Sequence, residues 1–522
     1  MKFELLRSFD GYKLTNLTKD LTAGLMVAIV AMPLSIALGI QSDSTLQAGL
    51  ITAIVGGFFI AVFGGSRYSI GGPSATFVVV TVSYINNPAI GIPGIVIITM
   101  LAGVVLILFG LLRFGKALKF VPYPLVIGFT AGIGVILLVG QIKDFFGLTI
   151  SGTISADFIP KLMSYFTHLN TFNIVSFVLG IITLAIIYLL PKINRKIPSV
   201  IIAIIIVTFI SIGIKSILKD NVEIKTIGST YGEINADINL MFSLNFSEVN
   251  FISLIMPIFT IAVLSALEGL MSATVAEGMT NRIYDPNAEL IGHGIANIAS
   301  GFFCGLPVTG ALARTSVNIT GGAKTPIAGI SHSLILLLMF FILMPIMRYI
   351  PFCVLSAVLV KVAINMSRFK LVSKFAIFSI RDSIILMTSF LLTIFLGVLY
   401  GVTLGLLCAF IANIKNIIRG IKITNVPHKS SENLSYYRLD GALYFVSVVK
   451  VIDFVREKML TTDEIVLDLI DIKTIDATSV ERLAKYSKMF KESGKKLSLL
   501  NLNSFVRVRY EKAFKTLYFT WR

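Results

Sequence analysis

Cysteine is nearly missing from this chain: Cys304, Cys353 and Cys408 are its three, and all lie in apolar stretches. That excludes a disulfide framework and a cysteine-based metal site. Histidine is equally scarce, and His293 and His332, in separate apolar segments, have no metal-ligand spacing. No metal or cofactor is expected. Charge is also thin, at 14% of residues against 55% hydrophobic, a composition that would aggregate if soluble and that points to an integral membrane protein. The first nineteen residues contain Lys2, Glu4, Arg7, Asp10, Lys13 and Lys19 but no small-residue cleavage site. This stretch reads as a retained cytoplasmic leader.

What charge there is carries information. The net balance is +17, but the basic residues gather between apolar spans rather than on one nucleic-acid-binding face. The clusters are Arg113, Lys116 and Lys119; Lys192, Arg195 and Lys196; Arg368, Lys370 and Lys374; and Lys415, Arg419 and Lys422. Counting apolar segments near the ~20 residues of a bilayer core predicts about fourteen: 20–40, 47–64, 73–87, 93–113, 122–142, 172–190, 198–218, 253–275, 288–305, 307–319, 325–347, 351–366, 382–398 and 400–419. This count places all four clusters on one side, with both termini in the cytoplasm, as the positive-inside rule requires. The polar stretch Lys219–Asn250 then falls outside as a long loop with no evident chemistry. After residue 421 the pattern changes to short alternating runs, Tyr436–Ser447, Glu464–Ile475 and Lys496–Leu502, separated by helical spacing over Val449–Leu460 and Ser479–Ser493. The expected domains are a membrane domain over 1–421 and a small cytoplasmic β/α domain over 422–522.

Two breaks interrupt the apolar sequence: Gly71-Gly72-Pro73-Ser74-Ala75-Thr76 and Gly305-Leu306-Pro307-Val308-Thr309-Gly310-Ala311-Leu312-Ala313-Arg314. They sit in register, Pro73 lying 53 residues after Asp20 and Pro307 lying 54 after Ser253. Paired Gly/Pro-interrupted segments in the two halves of a membrane protein mark a transporter's substrate site. Seven segments per half, an odd number, require the second half to run inverted. Each break predicts a half-helix starting near its proline, and two opposed helix starts at the midplane make an anion site. The candidate binding residues are Pro73, Ser74, Ala75, Thr76 and Phe77 on one side and Gly310, Ala311, Leu312, Ala313, Arg314 and Thr315 on the other. Arg314 at membrane depth needs a cavity or a partner, so it serves either the anion or a salt bridge that locks helices. Glu268 is the other deep charge, with Ser265 and Ser272 on its face. Facing Arg314, it would stay ionised until an anion displaced it, a route to proton–anion symport; a plain structural ion pair is the alternative. Phe77 reads as a wall of the site or as packing. Glu277 and Glu289, near span ends, read as solvated, and Asn297, Asn318 and His332 as helix–helix hydrogen bonds. Gly321-Gly322-Ala323-Lys324 lacks phosphate-loop spacing and reads as a turn.

The stretch Glu268-Gly269-Leu270-Met271-Ser272-Ala273-Thr274, the run from Asn287 to Asn297, Gly305 through Asn318, and Gly321-Gly322-Ala323-Lys324-Thr325-Pro326 closely resemble the SulP family of anion permeases. Asp20-Leu21-Thr22-Ala23-Gly24, Ala48-Gly49-Leu50 and Phe63-Gly64-Gly65-Ser66 agree, and Ile475-Asp476-Ala477-Thr478 resembles the strand-to-helix turn of the family's STAS domain. The resemblance implies an inverted seven-plus-seven repeat with two midplane half-helices, a core domain moving against a gate domain, and commonly a homodimer. In proton-coupled members a carboxylate matching Glu268 and an arginine matching Arg314 form the coupling pair. Sodium-coupled bicarbonate members have aspartate at the position of Glu268 and threonine at that of Ser272, which tilts the expectation here towards protons. Ala313 and Gly397 depart from residues common in the family, a serine and an aspartate. Thr478 and Ser479, at a helix start, are candidate phosphorylation positions or simply part of a cap.

The expectation is therefore an α-helical polytopic protein of the cell membrane that carries a small inorganic anion, sulfate foremost, by proton-coupled symport. Bicarbonate (with sodium or protons) and dicarboxylates are the alternatives within transport. A membrane-anchored STAS signalling or scaffold protein is the rival from another class, although an anchor needs neither the paired breaks nor Arg314. With no nucleophile–base pair, an enzyme is not expected.

Overall fold

Long apolar runs lack water for their amides, so each must close its hydrogen bonds internally, and each forms a helix. In the computed structural model, which describes residues 3–8, 12–115, 121–150, 157–194, 198–218, 223–232, 236–238, 240–245, 249–280, 282–367, 380–427, 430, 433–459 and 461–501, these are α1 (Leu14–Gln41), α2 (Leu46–Phe63), α3 (Ala75–Ile85), α4 (Gly91–Leu111), α5 (Tyr123–Gly140), α6 (Ile174–Ile193) and α7 (Ser199–Leu218) in the first half. The second half contributes α8 (Phe251–Thr280), α9 (Pro286–Phe302), α10 (Leu312–Thr320), α11 (Ile327–Met347), α12 (Phe352–Ser367), α13 (Ile380–Leu396) and α14 (Val398–Arg419). Among the described residues eight helical stretches are long and apolar enough for a full span, whereas α3 is much shorter. Of the basic clusters, Lys116, Lys119, Arg195, Lys196, Arg368, Lys370 and Lys374 lie outside the described residues.

The chain divides into two compact units, one of Met1–Leu118 with Ile133–Asn365 and one of Lys119–Gly132 with Met366–Arg522. In the first unit α4 packs closely on α9. A Cβ on Gly103 would lie 2.5 Å from the Gly294 carbonyl, and one on Gly294 would lie 2.6 Å from that of Gly103. Such backbone-to-backbone approach is how helices associate where lipid offers no hydrophobic drive. The same unit holds two short strands, β1 (Gly71–Gly72) and β2 (Thr309–Gly310), paired antiparallel with Gly71 opposite Gly310 and Gly72 opposite Thr309. Because β1 leads into α3 and β2 into α10, antiparallel pairing sends the two half-helices off in opposite directions.

In the second unit α13 and α14 form a hairpin at Gly397, whose φ of +97° suits glycine. α14 then runs through Gly420 into β3 (Ile421–Asn425), which pairs antiparallel with β4 (Leu434–Leu443). Parallel neighbours β5 (Glu464–Ile475) and β6 (Lys496–Leu500) complete the order β3-β4-β5-β6. α15 (Ser447–Lys458) and α16 (Ala477–Glu492) supply the crossovers that parallel pairs need. Leu439, Val451, Leu467 and Leu483 are buried in one cluster that also takes in Ile127 of α5 and Leu386 of α13.

The α16 start is a junction. Asp476 caps it, accepting from Ser479 N at 2.8 Å and from Phe445 N at 2.8 Å, while Asp382 of α13 accepts from Ala477 N at 3.0 Å. Thr478 Oγ1 accepts from the Tyr123 amide at 3.2 Å. The Thr478 and Ser479 hydroxyls are buried, so a kinase would reach them only after this helix start undocks. Asp476→Ala removes a cap worth about 1 kcal/mol and orphans Phe445 N. A loss of several degrees in the apparent melting temperature of detergent-solubilised protein is expected, and an unchanged value would refute the junction's role.

Candidate functional site

A backbone break inside a membrane must find partners for every amide and carbonyl it frees. Here neighbouring helices supply them. The Asn297 side chain accepts from Val308 N at 2.9 Å and donates to Val308 O at 2.9 Å, so one amide group satisfies both polar atoms of that residue. Ser265 Oγ also donates to Val308 O, at 2.7 Å, and Thr309 Oγ1 donates back to Ser265 O. Leu306 N donates to Thr52 Oγ1 and Leu306 O accepts from Ser300 Oγ. Gly310 N donates to His293 Nε2 at 2.8 Å, and His293 Nδ1 meets Glu289 O at 2.7 Å. Those two bonds define a neutral imidazole protonated on Nδ1.

The first break is held in the same way. Glu289 is fully buried, accepting from Gly65 N and Ser66 N at 2.9 Å each and from Ser69 Oγ at 2.6 Å. It is not the solvated carboxylate that its place near a span end suggests; the amides of the Gly65–Ser69 loop replace water around it. Glu277 is buried too. Ile70 N donates to Thr315 Oγ1, Ala311 N donates to Ile70 O, and Asn318 Nδ2 donates to Tyr68 O. Ser272 Oγ donates to Thr315 Oγ1 at 3.0 Å, so Ser272 and Thr315 brace the crossing rather than face an opening. Asp20, also buried, accepts from Lys324 N, Thr325 N and Thr325 Oγ1, which closes the Gly321–Pro326 turn.

The two helix starts differ. α3 begins at Ala75 with Ser74 as its cap, Ser74 Oγ accepting from Thr76 N at 3.3 Å. α10 begins not at Pro307 but at Leu312, because residues 306–310 are drawn into the hydrogen bonds above and into β2. Ala311 stands at its cap position and offers no side-chain oxygen. Ala313 is exposed and Ala311 and Leu312 are half-buried, so this start lies open and uncapped. First-turn amides carry roughly half a positive charge and seek an anion. Phe77, Ala75 and Pro73 are buried.

Arg314 occupies the first turn of α10 at 1% exposure. Its Nη1 donates to Gly71 O at 3.3 Å and its Nη2 to Ser35 Oγ at 3.0 Å. Gly72, with φ of +152°, makes room for it, since a Cβ there would overlap Nη1. The arginine thus sits behind the strand pair. Glu268, half-buried on α8, is the acceptor of the Thr76 hydroxyl. Among the described residues no ion pair within 4.0 Å joins Glu268 to Arg314. The direct coupling pair expected from sequence is replaced by two charges on either side of one backbone crossing, each bonded to neutral groups. A guanidinium with no carboxylate at hand leaves a positive field over both helix starts. Sequence reasoning missed His293, Glu289 and Asp20 as braces; the Glu289–His293 spacing of four on one helix was the available signal.

Comparison with known proteins fits this arrangement. The sulfate permease family model matches residues 17–389 and the STAS domain model residues 425–515. A putative sulfate transporter, YvdB, of Bacillus subtilis is 34% identical over 95% of this chain and 93% of its own length. The solved transmembrane domain of a cyanobacterial bicarbonate transporter, BicA, matches at 27% identity and a TM-score of 0.66, over 76% of this chain and 98% of that one. The murine Solute Carrier 26 family member A9 anion transporter shares the fold, with a TM-score of 0.70 at 20% identity over 98% of this chain and 90% of that one.

Removing the Asn297 side chain tests the bracing. Asn297→Ala leaves Val308 N with no partner in the membrane interior, at a cost of about 1–3 kcal/mol. Lower thermal stability and at least tenfold slower anion uptake are expected in reconstituted vesicles. Full uptake by the variant would show that the break does not depend on this residue.

Proposed function

The chain belongs to the sulfate permease family and is a multi-pass, secondary-active anion transporter with a C-terminal cytoplasmic STAS-like domain; from that premise we propose that it carries sulfate inward together with protons. The likeness is to transporters and to no catalytic fold. In this reading residues 1–421 form the transport domain and 422–522 the cytoplasmic STAS-like domain, and the chain acts as a homodimer.

The observation that carries the proposal is the open, uncapped start of α10, with Arg314 buried in its first turn and, among the described residues, not within 4.0 Å of a carboxylate. Anion oxygens take the place of a cap there, and Ser74 and Thr76 at the α3 start face the same crossing. Glu268 supplies the coupling. An anion arriving at the α3 start sets a second negative charge beside it, at a cost of roughly 3 kcal/mol for about 5 Å and an effective dielectric constant of about 20. Protonating Glu268 relieves that cost, so anion and proton bind together. The Thr76 hydroxyl then loses its anionic acceptor and is freed towards the substrate.

Bicarbonate is the second reading, supported by the likeness to the cyanobacterial bicarbonate transporter. Helix dipoles and one buried arginine recognise charge more than shape. A proteoliposome panel of sulfate, bicarbonate and a dicarboxylate, with proton and sodium gradients imposed separately, decides between them. Sulfate uptake driven by an inward proton gradient is expected, and sodium-driven bicarbonate uptake alone would replace the first reading with the second.

Two variants test the roles assigned. Arg314→Ala is expected to lower uptake at least a hundredfold while the protein still inserts and elutes as a single species; normal uptake would overturn the site. Glu268→Gln is expected to retain anion exchange but lose acceleration by a proton gradient. A pH dependence identical to that of the unaltered chain would remove Glu268 from the coupling.

A further inference from the structure

A cavity of about 380 Å³ lies in the first unit, away from the strand crossing. Three lysines line it, from three separate segments: Lys143 in the short helix Ile142–Phe145 after α5, Lys161 in the helix Phe158–Thr167, and Lys225 just before the helix Ile227–Tyr231. With the C-terminal domain in the cytoplasm and the spans alternating, all three segments lie on the outer side. Sequence gave the 219–250 stretch no chemistry, yet its Lys225, Thr230 and Tyr231 help form this chamber.

Outer segments of membrane proteins are normally poor in lysine, so three converging on one chamber call for a physical reason. Mutual neutralisation supplies only part of it: Asp144 interacts electrostatically with Lys143 and Lys225, and Asp43 with Lys161. Asp43 and Asp144 also line the cavity, but among the described residues no lysine there comes within 4.0 Å of a carboxylate. Asp43 instead accepts from Asn86 Nδ2 at 2.9 Å, and Lys225 Nζ donates to Thr149 Oγ1 at 2.9 Å. Burial lowers the pKa of Lys161, an effect that Asp43 partly offsets, which marks its ammonium as partly stripped of water. Three cations against two anions leave the chamber positive, and its low-dielectric walls concentrate that field.

One wall of the chamber lies on the helix that starts at the first break. Val78, Val79 and Val82 of α3 form one wall. Val78 lies three residues from the start of α3, about 4.5 Å along its axis, next to Ser74 and Thr76. The volume equals that of about a dozen waters, room for a small oxyanion with part of its hydration shell.

We propose that this lysine-lined chamber is a second, outer anion site, which collects a small oxyanion from the external face and holds it before it moves to the helix starts. As an account of substrate entry, the proposal rests on the anion-transport reading above; as a binding site, it stands apart from it.

The test combines uptake and binding. In proteoliposomes, the triple variant Lys143→Gln, Lys161→Gln, Lys225→Gln is expected to raise the KM for labelled sulfate about tenfold at low ionic strength, with kcat falling less than twofold. The difference is expected to shrink in about 0.5 M potassium gluconate, where charges are screened over a few ångströms. The matching triple change to arginine, which keeps the charge, is expected to restore KM. An unchanged KM, or an equal loss in both triple variants and at both salt concentrations, would overturn the proposal. Calorimetric titration of sulfate onto the Arg314→Ala protein in detergent removes the central site from the measurement. Millimolar binding is expected there, and the three glutamines are expected to abolish it. Binding that survives them refutes the outer site, even if the unaltered chain moves no sulfate and the transport reading has failed separately.

Discussion

Everything at the centre of this protein depends on one constraint: a backbone that stops being helical inside a membrane must still satisfy each of its polar groups. The two breaks meet it by pairing with each other, Gly71 with Gly310 and Gly72 with Thr309. What the ladder leaves over goes to side chains on α2, α8 and α9, with Asn297 holding both polar atoms of Val308. Glu289 does for the loop ahead of the first break what these residues do for the second. Polar residues that would look functional in isolation are therefore occupied in holding the chain in its broken form. That bracing is what leaves the α10 start without a side-chain cap.

The division of labour between charges follows from the same geometry. Arg314 is consumed by Gly71 O and Ser35, so it gives the site its sign through the field rather than by a salt bridge. Glu268 rests on Thr76, a neutral donor that permits either protonation state. Had the two formed an ion pair, an anion would have had to break it before binding. Under the proposed proton coupling, their separation across one strand crossing lets the anion see positive potential first and load the carboxylate second.

Much of this was legible in the sequence. The length and hydropathy of the apolar runs located the helices, and the glycines and prolines located both breaks, because those signals are local. The start of α10 was misplaced by about five residues, since Pro307 suits a first turn but its neighbours are captured by Ser265, Ser300 and Thr52, two of them far away in sequence. Glu289 was misread for a related reason: nearness to a span end suggests water, and only the fold brings the Gly65 and Ser66 amides to it. The direct contact between Glu268 and Arg314 was an inference from charge alone, and charge does not reveal that a backbone carbonyl and a serine hydroxyl take the two Nη groups of Arg314 while a threonine hydroxyl takes Glu268. Family resemblance located the same residues without supplying these partners.

The strand pair also limits how the site can move. Ladder bonds, the Ala311-to-Ile70 bond, the Ile70-to-Thr315 bond and the Arg314-to-Gly71 bond all stitch the two half-helices together. Prying α3 from α10 would strand these groups in a medium with no water, at several kcal/mol for each. The half-helices therefore cannot open like scissors to admit an ion from one side and release it to the other. They form a single stitched cradle, so any displacement of one half-helix carries the other with it.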